Sequence, residues 1–335
     1  MTQIAIVGYG YWGKNLVRNF YSQKKSSLHT VVDADENKLA QVRQNYPTVK
    51  TSSSLEEILQ NTEINAVVIA TQVYSHYEIA KKALHAGKHV LVEKPMTSTY
   101  VQAQELIKIA QEKNLILMTD HTFLYTGAVQ KMKQLIDNKE LGEINYIDST
   151  RINLGLFQPD VNVLWDLAAH DISICHYLLN EKPTTVQATG ISHTNNGIEN
   201  IAYLTLKYAS NKISHFNCSW TSPVKVRQML VGGDKKMIVW NDLEATEKIK
   251  VYDTGYDIKT EEDKTKILVD YRIGDIFVPK LDNIEALFAM AADFVESIQQ
   301  NKVPRASAEI GATVVKILEA SQISIKNKGI EIELL

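Results

Sequence analysis

Cysteine is almost absent from this chain of 335 residues, which contains only Cys175 and Cys218. Two cysteines are too few for a disulfide framework, and their spacing matches no zinc-binding pattern. The sequence therefore predicts two buried, reduced thiols and no metal site.

Long apolar runs and an excess of charge of one sign are also missing. No stretch reaches the roughly 18 consecutive apolar residues of a membrane-spanning helix. The formal net charge is -3 at pH 7 with both signs interleaved, so the basic surface of a nucleic-acid-binding protein is absent. Because residues 1–7 pass straight into a strand without a signal-like segment, we expect a cytoplasmic protein with no nucleic-acid or membrane partner.

The first 120 residues alternate short apolar runs with helical periodicity. The runs are rich in valine and isoleucine and lie at residues 4–7, 28–32, 66–70, 90–92 and 115–118. Such strands, separated by helices, are typical of a parallel sheet covered on both faces. We predict an α/β protein in which residues 1–120 form a Rossmann domain with a doubly wound parallel sheet.

The pattern changes after residue 120. Residues 184–252 alternate apolar and polar positions, which predicts a large, mostly antiparallel open sheet with one face free. Helices are predicted at 127–138, 166–179, 284–300 and 307–326, a strand at 144–152, and an exposed charged hairpin or loop at 256–270. We therefore assign residues 121–335 to a second α/β domain, with the free face of its sheet open to a partner or subunit.

A glycine pattern follows the first predicted strand. Gly8, Gly10 and Gly13 stand in the order G-x-G-x-x-G, with Tyr11 and Trp12 between the last two. In a strand-turn-helix context this pattern lets backbone and a helix N-terminus approach a dinucleotide pyrophosphate. Asp33, 20 residues after Gly13, can accept hydrogen bonds from ribose hydroxyls, which favours NAD over NADP. Asp33 could instead cap the following helix.

The segment "HVLVEKPM" ends a buried strand with Glu93, Lys94 and Pro95. Thr71 likewise follows the preceding strand, so both groups fall at the carboxyl edge of the sheet, where ligands of open parallel sheets bind. The alternative is that Glu93 and Lys94 are solvated loop residues.

These segments resemble the Gfo/Idh/MocA oxidoreductases, the glucose-fructose oxidoreductase and inositol dehydrogenase family. The similarity covers the glycine loop, the stretch ending in "HVLVEKPM", "ELGEI" at 140–144 and "WDLAAHD" at 165–171. It implies a catalytic lysine at Lys94, a cis Lys94-Pro95 bond, and contacts of Thr71, His76 and Glu93 with the nicotinamide half of NAD. It also implies that residues 121–335 bind the substrate and form a homodimer or homotetramer through the C-terminal sheet.

Asp166 and His170 are four residues apart, on one face of a predicted helix. Spacing alone also fits an ordinary surface pair, but the resemblance places the family's Asp-x-x-x-His here. It implies that His170, oriented by Asp166, accepts the proton of a sugar hydroxyl while hydride passes to the nicotinamide. Lys94 would donate a hydrogen bond to the reacting oxygen.

The region 151–179 resembles a branch that acts on nucleotide-linked sugars of surface polysaccharides. Phe123, Ala168 and Ala169 depart from the inositol dehydrogenase pattern. Three basic residues, Arg151, Lys225 and Arg227, could grip a diphosphate, or they could instead be surface charges near sheet edges. Tyr125 and Asn162 could contact sugar hydroxyls.

The predicted reaction is thus oxidation at carbon 3 of a nucleotide-linked sugar, or the reverse reduction. The alternatives are an inositol or free-sugar dehydrogenase, an NAD-dependent glycosidase, and a non-catalytic NAD-binding regulator. A regulator would not need the proton-transfer groups.

Overall fold

The chain forms two compact units. The first contains Met1–Thr126 and Ile284–Lys316, and the second contains Gly127–Asn283 and Ile317–Leu335. The computed structural model describes residues 1–155, 157–158, 160–194, 196–257 and 270–334.

The first unit is built around a six-stranded parallel sheet. Its strands are β1 (Thr2–Val7), β2 (Ser26–Val32), β3 (Lys50–Ser52), β4 (Ala66–Ile69), β5 (His89–Glu93) and β6 (Leu117–Asp120). Its helices are α1 (Tyr11–Tyr21), α2 (Glu36–Asn45), α3 (Leu55–Gln60), α4 (Val73–His85) and α5 (Tyr100–Glu112).

The strand order of this sheet is β3-β2-β1-β4-β5-β6, and every neighbouring pair is parallel. All four residues of β4 are fully buried, because helices cover both faces of a doubly wound sheet. The predicted Rossmann architecture is confirmed.

The second unit carries a nine-stranded sheet. Its elements are α6 (Gly127–Asp137), β7 (Ile144–Leu154), a π-helical turn (Leu164–Ala168), α7 (Ala169–Leu179), β8 (Thr185–Ile191), β9 (Ile201–Lys207), β10 (Ile213–Ser219), β11 (Thr221–Gly233), β12 (Met237–Asn241), β13 (Ile249–Tyr252), β14 (Gly255–Asp257), β15 (Asp270–Arg272), β16 (Ile276–Phe277) and β17 (Ile332–Glu333). The strand order is β16-β13-β12-β11-β7-β10-β9-β8-β17. The β7–β10 pair is parallel and the other neighbours are antiparallel, as predicted.

Alternation along the strands places apolar side chains on one face of this sheet. In β9, Ala202, Leu204 and Leu206 are buried, whereas Tyr203 between them is 46% exposed. Its ring stacks on that of His215 in the neighbouring strand, with the centroids 6.2 Å apart. One face is therefore packed, and the other presents aromatic and polar side chains.

The predicted charged hairpin at 256–270 falls mainly on residues 258–269, outside the described residues. At its two ends, β14 and β15 pair with each other as a separate antiparallel ladder. The helix predicted at 166–179 begins earlier than expected, with the π-helical turn at Leu164–Ala168.

Two helices late in the chain complete the fold, α8 (Ala286–Gln300) and α9 (Ala308–Lys326). The α8 helix packs on α1 through edge-to-face contact of Phe20 with Phe294, and through a two-pronged ion pair between Arg18 and Glu285. The apolar stripe of α1 is thus covered by a helix distant in sequence.

The observed units differ from the predicted division into 1–120 and 121–335. The first unit extends to residue 126, and residues 284–316 return to it. A division of the chain at one boundary cannot describe this arrangement. The sequence did not predict it, because the apolar face of a helix does not indicate which sheet the helix covers.

Cys175 and Cys218 are both buried free thiols, as predicted. Burial raises the pKa of Cys175 to about 11, which makes its thiolate scarce at neutral pH. Among the described residues, no helix has the length and apolarity to span a membrane, and no three histidine, cysteine or acidic side chains cluster as a metal site would require.

Candidate active site

The glycine loop joins β1 to α1 and is shaped by two close approaches. Gly8 has φ of +99°, and a Cβ there would lie 2.6 Å from the carbonyl oxygen of Ala70. A Cβ on Gly13 would lie 2.1 Å from the carbonyl oxygen of Gly8. These two glycines are required by the fold itself.

Gly10 is different, because a Cβ there would meet no atom within 4 Å. It faces a cavity of about 700 Å³, which is within the usual range for small-ligand pockets. Gly10 is also the N-cap of α1, with no side-chain cap, and no acidic residue occupies the first turn. The N–H groups of this turn therefore remain available for an anionic ligand, and the cavity fits a dinucleotide.

Two aromatic residues of the loop, Tyr11 and Trp12, lie at the rim of this cavity. Tyr11 is 82% exposed and Trp12 is 43% exposed, and their rings meet edge to face. Exposed rings beside a dinucleotide-sized cavity can cover apolar parts of a bound cofactor.

Asp33 follows β2 and lines the same cavity. Its carboxylate accepts hydrogen bonds from the backbone N–H groups of Tyr9 (2.7 Å) and Asp35 (2.9 Å). Asp35, rather than Asp33, caps α2 by accepting from the N–H of Asn37. The helix-cap alternative for Asp33 is therefore wrong.

Lys38 lies five residues after Asp33, in the first turn of α2, and no sequence pattern indicated it as a cavity residue. Its Nζ lies 3.4 Å from both carboxylate oxygens of Asp33, and it also lines the cavity. A cation here offsets part of the negative charge that would repel a 2'-phosphate.

His76, in α4, connects the two segments that end β4 and β5. Its Nδ1 lies 2.9 Å from the carbonyl oxygen of Pro95, and its Nε2 lies 3.1 Å from that of Thr71. Burial lowers the pKa of His76, so the ring is neutral and donates to one of these oxygens at a time. The Lys94-Pro95 peptide bond is cis, as the resemblance implied.

Glu93 and Lys94 line the cavity together with the glycine loop and Thr71. Glu93 is only 7% exposed, so the alternative of a solvated glutamate does not hold for it. Beside it, at the end of β6, lies Asp120, which is 3% exposed and which the sequence analysis overlooked.

In the second unit, Asp166 lies in the π-helical turn and His170 in the first turn of α7. Both are half-buried. Asp166 accepts a hydrogen bond from Nε1 of the buried Trp220 at 3.0 Å, which fixes the carboxylate. Lys94 belongs to the first unit, so its convergence with Asp166 and His170 on one substrate stays a prediction.

Three of the predicted substrate contacts require correction. Arg151 is 3% exposed, and its guanidinium is held by the carboxylate of Asp171 through three N–O contacts of 2.6–3.1 Å. Burial would lower the pKa of Arg151, but the charge and hydrogen bonds of Asp171 raise it overall. This buried ion pair joins β7 to α7. The guanidinium group of Arg151 is therefore engaged with Asp171, and its predicted role as a ligand for a diphosphate is wrong.

Tyr125 and Asn162 are also buried and structurally engaged. The hydroxyl of Tyr125 donates to Asp293 at 2.7 Å, and burial with this acid raises its pKa. Asn162 accepts from the N–H groups of Leu164 and Trp165 and so caps the π-helical turn. Arg227 and Lys225 remain accessible, with Arg227 3.5 Å from Asp242.

Comparison with known proteins agrees with this architecture. The family model described as "Oxidoreductase family, NAD-binding Rossmann fold" matches residues 2–121, and "GFO/IDH/MocA C-terminal domain" matches residues 129–239. Together the two models span more than half of the chain.

Two of the curated relatives are dehydrogenases with a named substrate. UDP-N-acetylglucosamine 3-dehydrogenase from Acidithiobacillus ferrooxidans is 31% identical over 56% of this chain and 57% of its own length. The scyllo-inositol 2-dehydrogenase (NADP(+)) IolW from Bacillus subtilis is 26% identical over 86% of this chain and 84% of its own length. Several curated relatives align over only about half of their length or less.

A solved structure of the Acidithiobacillus ferrooxidans UDP-N-acetylglucosamine 3-dehydrogenase GnnA superposes with a TM-score of 0.81. It covers 97% of this chain and 98% of its own, at 22% identity, and so shows a common fold. With both family models matched in order, the chain belongs to the Gfo/Idh/MocA family of oxidoreductases.

Proposed function

We propose that this protein is a nicotinamide-dependent dehydrogenase, or the reverse ketoreductase, acting on a ring hydroxyl of a nucleotide-linked sugar. The observation that carries the proposal is that Lys94 lines the same cavity as the glycine loop and Asp33. A primary ammonium at the reactive end of a dinucleotide cavity can hydrogen-bond the oxygen on which negative charge develops. The relatives named above support a cyclic alcohol as the substrate class.

The chain's own groups divide the work. Gly10 and the first turn of α1 would hold the pyrophosphate, and Asp33 would hold the adenosine ribose. Thr71 and Glu93 line the cavity next to Lys94, and His76 contacts the carbonyl oxygens of Thr71 and Pro95 behind them. When bound, the nicotinamide supplies a hydride acceptor. His170 would accept the hydroxyl proton, with its ring oriented by Asp166.

The fixed carboxylate of Asp166 supports this role of His170. Because Trp220 donates to one oxygen of Asp166, the carboxylate is held in place, and it would give the imidazole of His170 a fixed electrostatic partner. The first unit would bind the cofactor and supply Lys94. The second unit would supply His170 and the substrate-binding surface. Lys225 and Arg227 remain the candidates for contact with a diphosphate.

We further propose NAD as the preferred cofactor, because Asp33 presents an acid to the ribose position. The exposed face of the nine-stranded sheet, which includes Tyr203 and His215, is proposed as the surface for dimer or tetramer formation.

The test is an NADH absorbance screen over UDP- and dTDP-linked sugars and free polyols. We expect turnover with a nucleotide-linked sugar, at least about 100-fold slower in Lys94→Met and in His170→Ala. Lys108→Met, a change at a lysine whose side chain is 76% exposed on α5, is the matched control and should retain activity.

Other outcomes would each contradict the proposal. Turnover of free polyols alone would favour an inositol or free-sugar dehydrogenase. Release of sugar from a glycoside without net NADH would favour a glycosidase. NADH binding with no turnover of any compound would favour a regulator.

A further inference from the structure

Two buried carboxyl groups lie side by side next to Lys94. Glu93 ends β5 and Asp120 ends β6, and the two residues are register partners in neighbouring parallel strands. Register partners in parallel strands direct their side chains to the same face of the sheet. Glu93 is 7% exposed and Asp120 is 3% exposed, so little water reaches either group.

The hydrogen bonds around this pair are incomplete if both groups are ionised. Thr122 donates its hydroxyl to Oδ1 of Asp120, and the backbone N–H of Lys94 donates to Oε2 of Glu93 at 3.1 Å. Within the part of the chain that the structure describes, no group donates to the buried Oδ2 of Asp120. A buried acceptor without a donor carries the cost of its lost hydration, and two adjacent buried negative charges add the cost of their repulsion.

One proton removes both costs. We propose that Glu93 and Asp120 share a single proton at neutral pH and act as a positioning pair, whose remaining negative charge attracts the ammonium group of Lys94. Burial and the charge of Asp120 raise the pKa of Glu93 well above its usual range. Burial raises the pKa of Asp120 as well, while Thr122 and Glu93 oppose that rise.

The charged group that acts on both carboxyls is Lys94, which lowers the pKa of each. His121, the residue after Asp120, and His76, which contacts the carbonyl oxygen of Pro95, are both buried imidazoles. His76 is directed at the carbonyl oxygens of Pro95 and Thr71. The pair therefore supplies net charge -1 beside Lys94, whereas two carboxylates would supply -2.

The importance of the pair for catalysis rests on the proposed function, because an ammonium at Lys94 is what donates to the reacting oxygen. Its protonation can be measured without substrate or cofactor. Failure of the sugar screen would therefore leave these measurements interpretable, and failure of these measurements would leave the screen unaffected.

The first measurement is infrared spectroscopy of the ligand-free protein at neutral pH. We expect a carbonyl stretch of a protonated carboxyl group that shifts in D2O and is lost in Glu93→Gln. Glu112→Gln, at an exposed glutamate of α5, is the control and should keep the band. Absence of the band in the unmodified protein, or its survival in Glu93→Gln, would overturn the shared proton.

The second measurement is the pH dependence of Lys94 acetylation by acetic anhydride, followed by mass spectrometry. Glu93→Gln keeps the charge on Asp120 and replaces the proton by an amide donor, so its profile should match that of the unmodified protein below the pH at which Glu93 ionises. The double variant Glu93→Gln, Asp120→Asn removes the charge, and its profile should move to lower pH by about one unit or more. Coincident profiles for the single and double variants would refute the positioning role, and circular dichroism would verify that both variants fold.

Discussion

Loss of the Asp171 carboxylate should destabilise the second unit strongly. The Arg151 and Asp171 side chains are 4% and 2% exposed, and they share three contacts of 2.6, 2.9 and 3.1 Å. Asp171→Ala leaves a guanidinium that is always charged in a site that water cannot readily enter. Removal of one partner from such a pair costs about 3–5 kcal/mol in the free energy of unfolding.

Urea unfolding followed by tryptophan fluorescence would measure this loss. Trp165, Trp220 and Trp240 lie in the second unit, and only Trp12 lies in the first, so the signal reports mainly on the second unit. The comparison variant is Glu331→Ala, which breaks the partly exposed Lys207–Glu331 pair and should cost at most about 1 kcal/mol.

A double variant separates the stranded charge from the lost contact. Replacement of both partners, Arg151→Met with Asp171→Leu, removes the charge and refills the volume, so it should recover at least about 2 kcal/mol relative to Asp171→Ala. If Asp171→Ala cost no more than Glu331→Ala, the reasoning from a buried charge would be refuted.

Three further predictions concern the glycine loop, the choice of cofactor and His76. Gly13→Ala should lower the melting temperature, because its Cβ would lie 2.1 Å from the Gly8 carbonyl oxygen. Gly10→Ala should melt normally but should bind NAD more weakly, as measured by calorimetry. Normal NAD affinity in Gly10→Ala would contradict the placement of the pyrophosphate. Asp33→Asn should reduce the ratio of NADH to NADPH affinity about tenfold or more, and Lys38→Met should increase it; an unchanged ratio in both would remove these residues from cofactor selection. Burial lowers the pKa of His76, so this side chain binds fewer protons in the native state than in the unfolded state. The neutral ring therefore contributes stability that is present above the unfolded pKa, near 6.5, and is lost as the pH falls towards the native pKa. The urea midpoint should therefore fall more between about pH 7.5 and about pH 5.5 in the unmodified protein than in His76→Gln, and equal falls would exclude this contribution.

Local patterns in the sequence were sufficient for the glycine loop and the first sheet. Gly8 and Gly13 are required by contacts within one strand-turn-helix unit, and the apolar run of β4 alone indicates burial on both faces. The cavity residues Asp33, Thr71 and Lys94 follow from strand ends, since parallel strands share one carboxyl edge.

The relations that sequence reasoning missed depend on pairing between distant segments. Glu93 and Asp120 become neighbours only through the register of β5 with β6, and Arg151 meets Asp171 only when α7 packs on β7. A basic residue was therefore interpreted as a ligand for phosphate, although its partner is an internal acid. The acid appears in the sequence as one more charged residue of a helix.

The return of residues 284–316 to the first unit has a consequence for synthesis of the protein. When the ribosome has released residue 126, the stripe of α1 that includes Phe20 still lacks Phe294 as its cover. Residues 127–283 must emerge before that cover exists. The nascent amino-terminal unit therefore exposes apolar surface while the whole intervening segment is translated. Chaperones that bind growing chains at the ribosome would recognise such a surface.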